Sequence, residues 1–503
     1  MKIIAKSKYK ALLFLIARED EAGRSGGGHR IATEIRKHGW DIEVIDFFRF
    51  WTFEEIKQLL ISRIDGDMKF IGFGSLFLQW PELAEQTAAW IKENYPNLLI
   101  IYGSQTFAEI NTKHIDYQIT GYAETIFIKL LKYLFDAGEA IEFTTVKGRK
   151  VAQGGWDAAP WRDPVIIYED RDFLQSYEWI SIEFSRGCKF VCDYCNHPMI
   201  GVKGDWTRDT DSFERQIKDA YDRFGITRYM ISDETFNDRT EKITKFADVV
   251  QQLDFQPFFW AFIRPDLLVK RGQKEWDELI RMQVVSHLYG IETFNHESGK
   301  VIGKGMNPEI LQQGLIDAKN YFHKQNDGLY RATITLIAGL PHDTEADVEA
   351  NFQWCLDNWQ GENVVANVLD IPKKNAFDHL NQNSKMTMDY AKYGYEPATQ
   401  EEQKEYLKSL EVYDNYNHIT GFRPDNVIWK NKHTNWGRMA EWVELMYYKF
   451  PQNDIRYPIQ KFFYTAPDKS IRELLSYDYK KGSPKLNLNY EMIENYKRSK
   501  LNM

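Results

Sequence analysis

Cysteine is scarce in this chain, with four in 503 residues. So few thiols exclude a disulfide framework as the source of stability. Long apolar runs are also missing. The longest near the start, residues 11–17, is followed at once by Arg18, Glu19 and Asp20, with no small-residue cleavage site. It reads as a buried strand rather than a signal peptide, and no run approaches the length that spans a bilayer. An excess of positive charge is absent as well. The net charge is −9, so no overall basic footprint for nucleic acid is evident. Basic residues gather only near the end (Lys480, Lys481, Lys485, Lys497, Arg498, Lys500), interleaved with acids, and read as a solvated tail. These absences point to a cytoplasmic protein in a reducing compartment. With 43% hydrophobic residues, the chain has ample material for two or three cored domains.

Three of the four cysteines fall within one run, Arg186-Gly187-Cys188-Lys189-Phe190-Val191-Cys192-Asp193-Tyr194-Cys195. Their spacing is x3 then x2. Soft thiolates gathered this closely select an iron–sulfur cluster or zinc. A [4Fe-4S] cluster normally takes four thiolates, so three would leave one iron open to a small molecule. The competing arrangement is a structural zinc site with His197 as fourth ligand, which would make the chain a non-catalytic binding protein. Cys355 lies in a helix-like run beside Phe352 and Trp354 and reads as core.

The periodicity divides the chain. From residue 11 to about 135, apolar strand-like runs (11–17, 42–45, 70–73, 98–102, 117–120) alternate with amphipathic helical ones. That alternation predicts a doubly wound, flavodoxin/Rossmann-like domain over residues 1–145. Gly23 to Arg30 is a glycine-rich segment opening a helix, but not a GxGxxG fingerprint. Residues 146–176 break all periodicity and are expected to be an ordered linker. From 179 the alternation resumes (179–184, 228–231, 258–263, 285–291, 332–337, 364–369), predicting a partial (β/α)6 TIM-type barrel over 177–384. Residues 385–503 are expected to form a mostly helical C-terminal cap. Catalytic groups of a barrel sit at the carboxyl ends of its strands. There lie the cysteines, Asp233-Glu234-Thr235-Phe236, Arg264, Gly290-Ile291-Glu292 and Gly339-Leu340-Pro341.

The cysteine run, with Tyr194 just before its last cysteine, resembles the signature of radical S-adenosylmethionine enzymes. The strand-end motifs resemble those of the cobalamin-binding-domain-containing branch of that superfamily. The resemblance covers residues 179–372, with Asp343 standing where the branch has Glu. It implies that Cys188, Cys192 and Cys195 hold a [4Fe-4S] cluster whose open iron chelates S-adenosylmethionine. It further implies cofactor contacts from Tyr194, Asp233, Glu234, Thr235, Arg264, Glu292, Gly339 and Pro341. Arg264 suits a carboxylate, because guanidinium presents a bidentate fork. The branch places a cobalamin domain in front, for which Ser75, Gly103 and Ser104 are the candidate contacts. The Asp-x-His-x-x-Gly motif of cobalt-ligating domains is lacking, so no protein histidine is expected on cobalt and His29 is expected at a loop or helix start. The implied activity is radical cleavage of S-adenosylmethionine, with cobalamin-dependent methyl transfer to an unactivated carbon. The alternative is a cobalamin-independent rearrangement, cyclisation or thiolation. An electron donor such as flavodoxin or ferredoxin is the implied partner, beside a small-molecule or peptide substrate.

Overall fold

A computed structural model describes residues 9–16, 24–104, 110–155, 161, 163–195, 206–326, 329–373, 384–410, 426–449 and 484–503. The chain divides into two compact units. The first comprises residues 1–182, 208–228 and 473–503; the second comprises 183–207 and 229–472.

The first unit is built on a seven-stranded sheet. Its strands are β1 (Lys10–Leu15), β2 (Asp41–Ile45), β3 (Met68–Gly74), β4 (Leu99–Ser104), β5 (Tyr117–Thr120), β6 (Thr144–Val146) and β7 (Arg149–Gln153). Their order is β2-β1-β3-β4-β5-β7-β6. The first five strands follow the flavodoxin-like 2-1-3-4-5 order and pair in parallel. Alternation along β1 explains the two cores: Leu12 and Phe14 enter one, Ala11, Leu13 and Leu15 the other. Both faces are therefore covered, and the strand reads as a continuous apolar run. Helices Gly26–Lys37, Phe53–Arg63, Pro81–Asn94 and Glu124–Phe135 supply the cover. Thr52 and Glu55 close a capping box on the second of these.

The glycine-rich segment serves packing. A Cβ on Gly28 would lie 2.3 Å from Leu15, so only glycine lets this helix rest on β1. Two departures from expectation concern this unit. The expected linker over 146–176 begins with β7, which pairs in parallel with β5, while β6 returns on β7 as a hairpin. Gly148, at φ +79°, makes the hairpin turn, so here glycine marks a turn rather than a break between domains. The last helix, Pro484–Leu501, belongs to the first unit and is not part of a cap. Met492, Ile493 and Tyr496 line one of its faces and enter the core beside Phe47 and Trp51. The expected solvated tail is corrected with it: Lys497 pairs with Glu55, and Lys500, fully buried, pairs with Glu43. Lys480 and Lys481 lie outside the described residues.

Strand β8 (Trp179–Ile182) precedes the second unit in the chain, and the short strands β9 (Ser185–Arg186) and β10 (Trp206–Thr207) pair antiparallel around the cysteine segment. The second unit carries β11 (Arg228–Ile231), β12 (Phe258–Ile263), β13 (Val284–Glu292), β14 (Arg331–Ala338) and β15 (Asn363–Val368), adjacent in sequence order. The pairs β12–β13, β13–β14 and β14–β15 are parallel. Consecutive parallel strands joined by helices are the geometry of a partial barrel. Helices Gln400–Leu410 and Trp436–Lys449 follow, and Trp436, Met439, Val443 and Met446 of the latter are buried, as its aromatic stripe implied for core. Cys355 is buried, and burial pushes its thiol well up. Among the described residues no helix is long and apolar enough to cross a membrane.

Candidate functional site

The cysteine segment is held from beneath by Asp233. This carboxylate accepts from the Phe184 backbone N–H at 2.7 Å and from the Ser185 hydroxyl at 2.6 Å, while Lys242 stands 3.3 Å away. Asp233 is 1% exposed with both oxygens engaged. It therefore anchors the entry to the loop, instead of standing free for an amino group as expected. Its neighbour Glu234 is half-buried and electrostatically close to Cys188. The Thr235 hydroxyl lies 3.8 Å from Cys188 Sγ.

The three clustered cysteines are free and half-buried. Burial pushes the Cys188 thiol up, and Cys192 and Glu234 add to this; the Phe190 N–H and Thr235 hydroxyl act the other way. On Cys192, Arg264 Nη1 donates to Sγ at 3.5 Å. The same guanidinium donates to Asp266 at 2.8 Å and to Gly303 O at 2.7 Å, and stacks on Phe190 at 3.9 Å. Its fork is thus spent on clamping the loop, which corrects the expected role as a carboxylate receptor. A cation and a hydroxyl beside sulfur favour thiolate, so the donor set suits an iron–sulfur cluster. Among the described residues no three His, Cys, Asp or Glu side chains converge as ligands of one ion would; in a four-iron cluster each thiolate meets its own iron. His197 lies outside the described residues.

Tyr194 and Glu292, far apart in sequence, meet here. The Tyr194 hydroxyl donates to Glu292 Oε1 at 2.9 Å. Glu292 reaches this position through a bulge, since the β13–β14 register shifts between Gly290 and Glu292 and Glu292 sits at φ +71°. Bulges re-aim side chains beside sites, and left-handed backbone at a non-glycine residue is stored strain. Lys304 completes the group. Its ammonium donates to Glu292 Oε1 at 2.7 Å and to Gly290 O. Sequence reasoning missed Lys304; its only signal was the Gly303-Lys304-Gly305 turn after a short helix.

Gly339 plays a different part from the expected cofactor contact. At φ +91°, its missing Cβ would lie 2.3 Å from Trp429, and its carbonyl accepts from Tyr395. Packing, not a ligand, requires this glycine. The Pro341 carbonyl accepts from Ser298, whose hydroxyl also lies 2.6 Å from Asp343 Oδ1. One hydroxyl hydrogen cannot serve both acceptors, but a protonated Asp343 could donate to Ser298. Burial pushes this carboxyl up to about 7 from 3.8, with Ser298 and the Leu340 N–H holding it back. A raised carboxyl pKa stabilises the fold fully below the unfolded value, and that contribution is lost as pH rises toward 7. Melting of the wild type should therefore fall between pH 5 and pH 8 by more than that of Asp343→Asn. Parallel pH profiles of the two proteins would refute the assignment.

In the first unit, Ser75 and Gly103 are brought together at the carboxyl edge of the sheet, the Ser75 N–H donating to Gly103 O at 2.7 Å. Ser75 adopts φ +58°, Ser104 adjoins it, and the space a Cβ on Gly103 would enter is open. His29 is neither in a loop nor exposed. It is fully buried within its helix, with Nε2 3.0 Å from Asp46.

Residues 182–355 match the family model described as Radical SAM superfamily. The anaerobic magnesium-protoporphyrin IX monomethyl ester cyclase of Synechocystis sp. is 23% identical over 254 residues, which cover 43% of this chain and 46% of that protein. The chain thus spans about half the length of this curated relative. Among solved structures, the radical S-adenosylmethionine methyltransferase TsrM from Kitasatospora setae, with cobalamin and [4Fe-4S] cluster bound, shares the fold at TM-score 0.60 and 12% identity over 99% of both chains. The cobalamin-dependent S-adenosylmethionine radical enzyme OxsB, with aqua-cobalamin bound, does so at TM-score 0.56 and 13% identity, over 99% of this chain and 81% of that one. The chain carries a radical SAM domain and is an enzyme of that superfamily. That domain implies a [4Fe-4S] cluster and S-adenosylmethionine as cofactors.

Proposed function

We propose that this protein cleaves S-adenosylmethionine reductively and transfers a methyl group to an unactivated carbon with the help of cobalamin. The observation that carries the radical chemistry is three free cysteines at a strand end, clamped by Arg264 and tied to the sheet through Tyr194 and Glu292. In this reading Cys188, Cys192 and Cys195 hold the cluster, which when bound supplies the electron for carbon–sulfur cleavage. Arg264 and Thr235 steady the thiolates, Glu234 accepts from the amino group, and Glu292 with Lys304 orients the remainder of S-adenosylmethionine.

Cobalamin binding is supported by the flavodoxin-like sheet and by the Ser75–Gly103 edge, where ligands of such sheets bind. The fold shared with TsrM and OxsB points the same way. His29 is committed to Asp46, which agrees with cobalt free of protein histidine. A cobalamin-independent rearrangement keeps the same cysteines and leaves the first unit to another task.

One experiment separates these readings. Protein reconstituted with iron, sulfide and hydroxocobalamin is incubated anaerobically with S-adenosylmethionine and dithionite, and products are read by mass spectrometry. We expect 5′-deoxyadenosine together with S-adenosylhomocysteine, and cobalamin retained through gel filtration. Deoxyadenosine without retained cobalamin would select the second reading, and neither product would end both.

A further inference from the structure

The outer face of the cysteine segment carries a patch unlike the rest of an acidic protein. Lys189 and Val191, between the first two cysteines, are both exposed, Val191 at 55%. Trp206 is also exposed, at 42%. Its neighbour Thr207 accepts from Arg239 Nη2 at 3.2 Å, and the Arg239 side chain is 48% exposed. Arg271 and Arg239 lie close enough to Lys189 to act on it as like charges. The carboxylates answering these cations face inward. Asp238 offers its carbonyl to Lys189 and Arg271 and its carboxylate to buried Lys242 at 2.7 Å, and Glu275, fully buried, pairs with Arg271. Charge is therefore segregated, with anions inside and cations outside, around two large apolar side chains. Scattered exposed apolar residues mean little, but apolar contacts ringed by one sign of charge mark a docking surface.

We propose that the patch formed by Lys189, Val191, Trp206, Arg239 and Arg271 docks an acidic one-electron carrier protein. This rests on the radical reading above, in which the cluster needs one electron from outside. Val191 adjoins Cys192, with about 3.8 Å between neighbouring Cα atoms, so a partner seated on it stands beside a cluster ligand. Complementary charge would steer the encounter. A reduced flavin carrier would pass from hydroquinone to semiquinone as the cluster gains one electron, with one proton released to solvent.

The test uses the reconstituted holoenzyme, a purified flavodoxin as probe, and the variant Lys189→Glu/Arg239→Glu, with Arg239→Gln as a milder companion. Binding is read by biolayer interferometry at low and high salt, and cluster reduction by the electron paramagnetic resonance signal of the reduced cluster. We expect salt-sensitive binding by the wild type, at least tenfold weaker binding by the double variant, and a smaller loss for Arg239→Gln. Flavodoxin hydroquinone should reduce the variant's cluster at least tenfold more slowly, whereas dithionite should reduce both proteins alike. Equal binding and equal reduction by flavodoxin would overturn the patch. A polyglutamate peptide bound as tightly as flavodoxin, with reduction by flavodoxin unaffected by the variant, would overturn the carrier assignment. Should dithionite yield no deoxyadenosine from any variant, the radical reading fails, and the binding arm alone then decides for or against the surface.

Discussion

Replacing Cys188, Cys192 or Cys195 by alanine should remove most of the iron and all 5′-deoxyadenosine formation, whereas Cys355→Ala should leave both unchanged. The expectation follows from the donor set. Three thiolates are the minimum that holds a cluster and still leaves one iron for S-adenosylmethionine, and two do not hold it. The environments differ as sharply as the roles. The clustered cysteines are half-buried beside Arg264 and Thr235, while Cys355 is fully buried, so its thiol stays protonated. Iron and sulfide analysis after anaerobic reconstitution reads the first effect, and mass spectrometry the second. Equal iron loss from all four variants would show that Cys355 has been misplaced; full iron in a loop variant would remove the cluster from this loop.

Arg24→Ala should destabilise the first unit by about 3–5 kcal/mol, the usual consequence of removing one partner from a buried charge network. Arg24 is 2% exposed. Its guanidinium grips Glu178 through Nε at 2.8 Å and Nη2 at 3.0 Å, and reaches Asp46 at 2.8 Å and the Asp172 carbonyl at 2.7 Å. Burial alone would push the Asp46 carboxyl up, yet His29 and Arg24 outweigh it and hold the group well below the usual range. Tyr496 of the last helix lies under the same guanidinium, 5.0 Å from its ring centre, and its hydroxyl accepts from the Asp46 N–H at 2.8 Å. Without Arg24, two buried carboxylates lose their main counter-charge. Arg215→Ala serves as the control. Its ion pair with Asp163 is equally short at 2.7 Å, but the Arg215 side chain is 64% exposed, so the loss should be at most about 1 kcal/mol. Urea unfolding followed by circular dichroism measures both, and losses of similar size would show that burial does not set the cost here.

The strands were legible because their signal is local. The Tyr117–Thr120 and Phe258–Ile263 runs stand where the apolar periodicity put them. Sheets covered on both faces make continuous apolar runs, and such runs need no knowledge of partners. The hairpin of β6 and β7 was not legible, since strands of 3 and 5 residues around a Lys147-Gly148 turn carry too little apolar pattern to stand out. Nor was the destination of the last helix. Its buried face shows in the 3.6-residue spacing of Ile493, Tyr496, Lys497 and Lys500, but the spacing cannot say which core receives it.

The site divides along the same line. The sequence by itself determined the chemistry: three thiols at x3 and x2 spacing, an aromatic before the last, and polar groups at successive strand ends are facts of composition and order. Only the tertiary structure decided which of those groups remain available. It turned Asp233 inward to hold Phe184 and Ser185, spent Arg264 on Cys192, Asp266 and Gly303, gave Gly339 to Trp429, and brought Lys304 to Glu292 and Tyr194. The physical reason is that a polar side chain's role depends on which partners satisfy it once water is excluded. Those partners stand 10 to 98 residues away along the chain in these cases, as with Tyr194 and Glu292 at 98, so no local pattern encodes them.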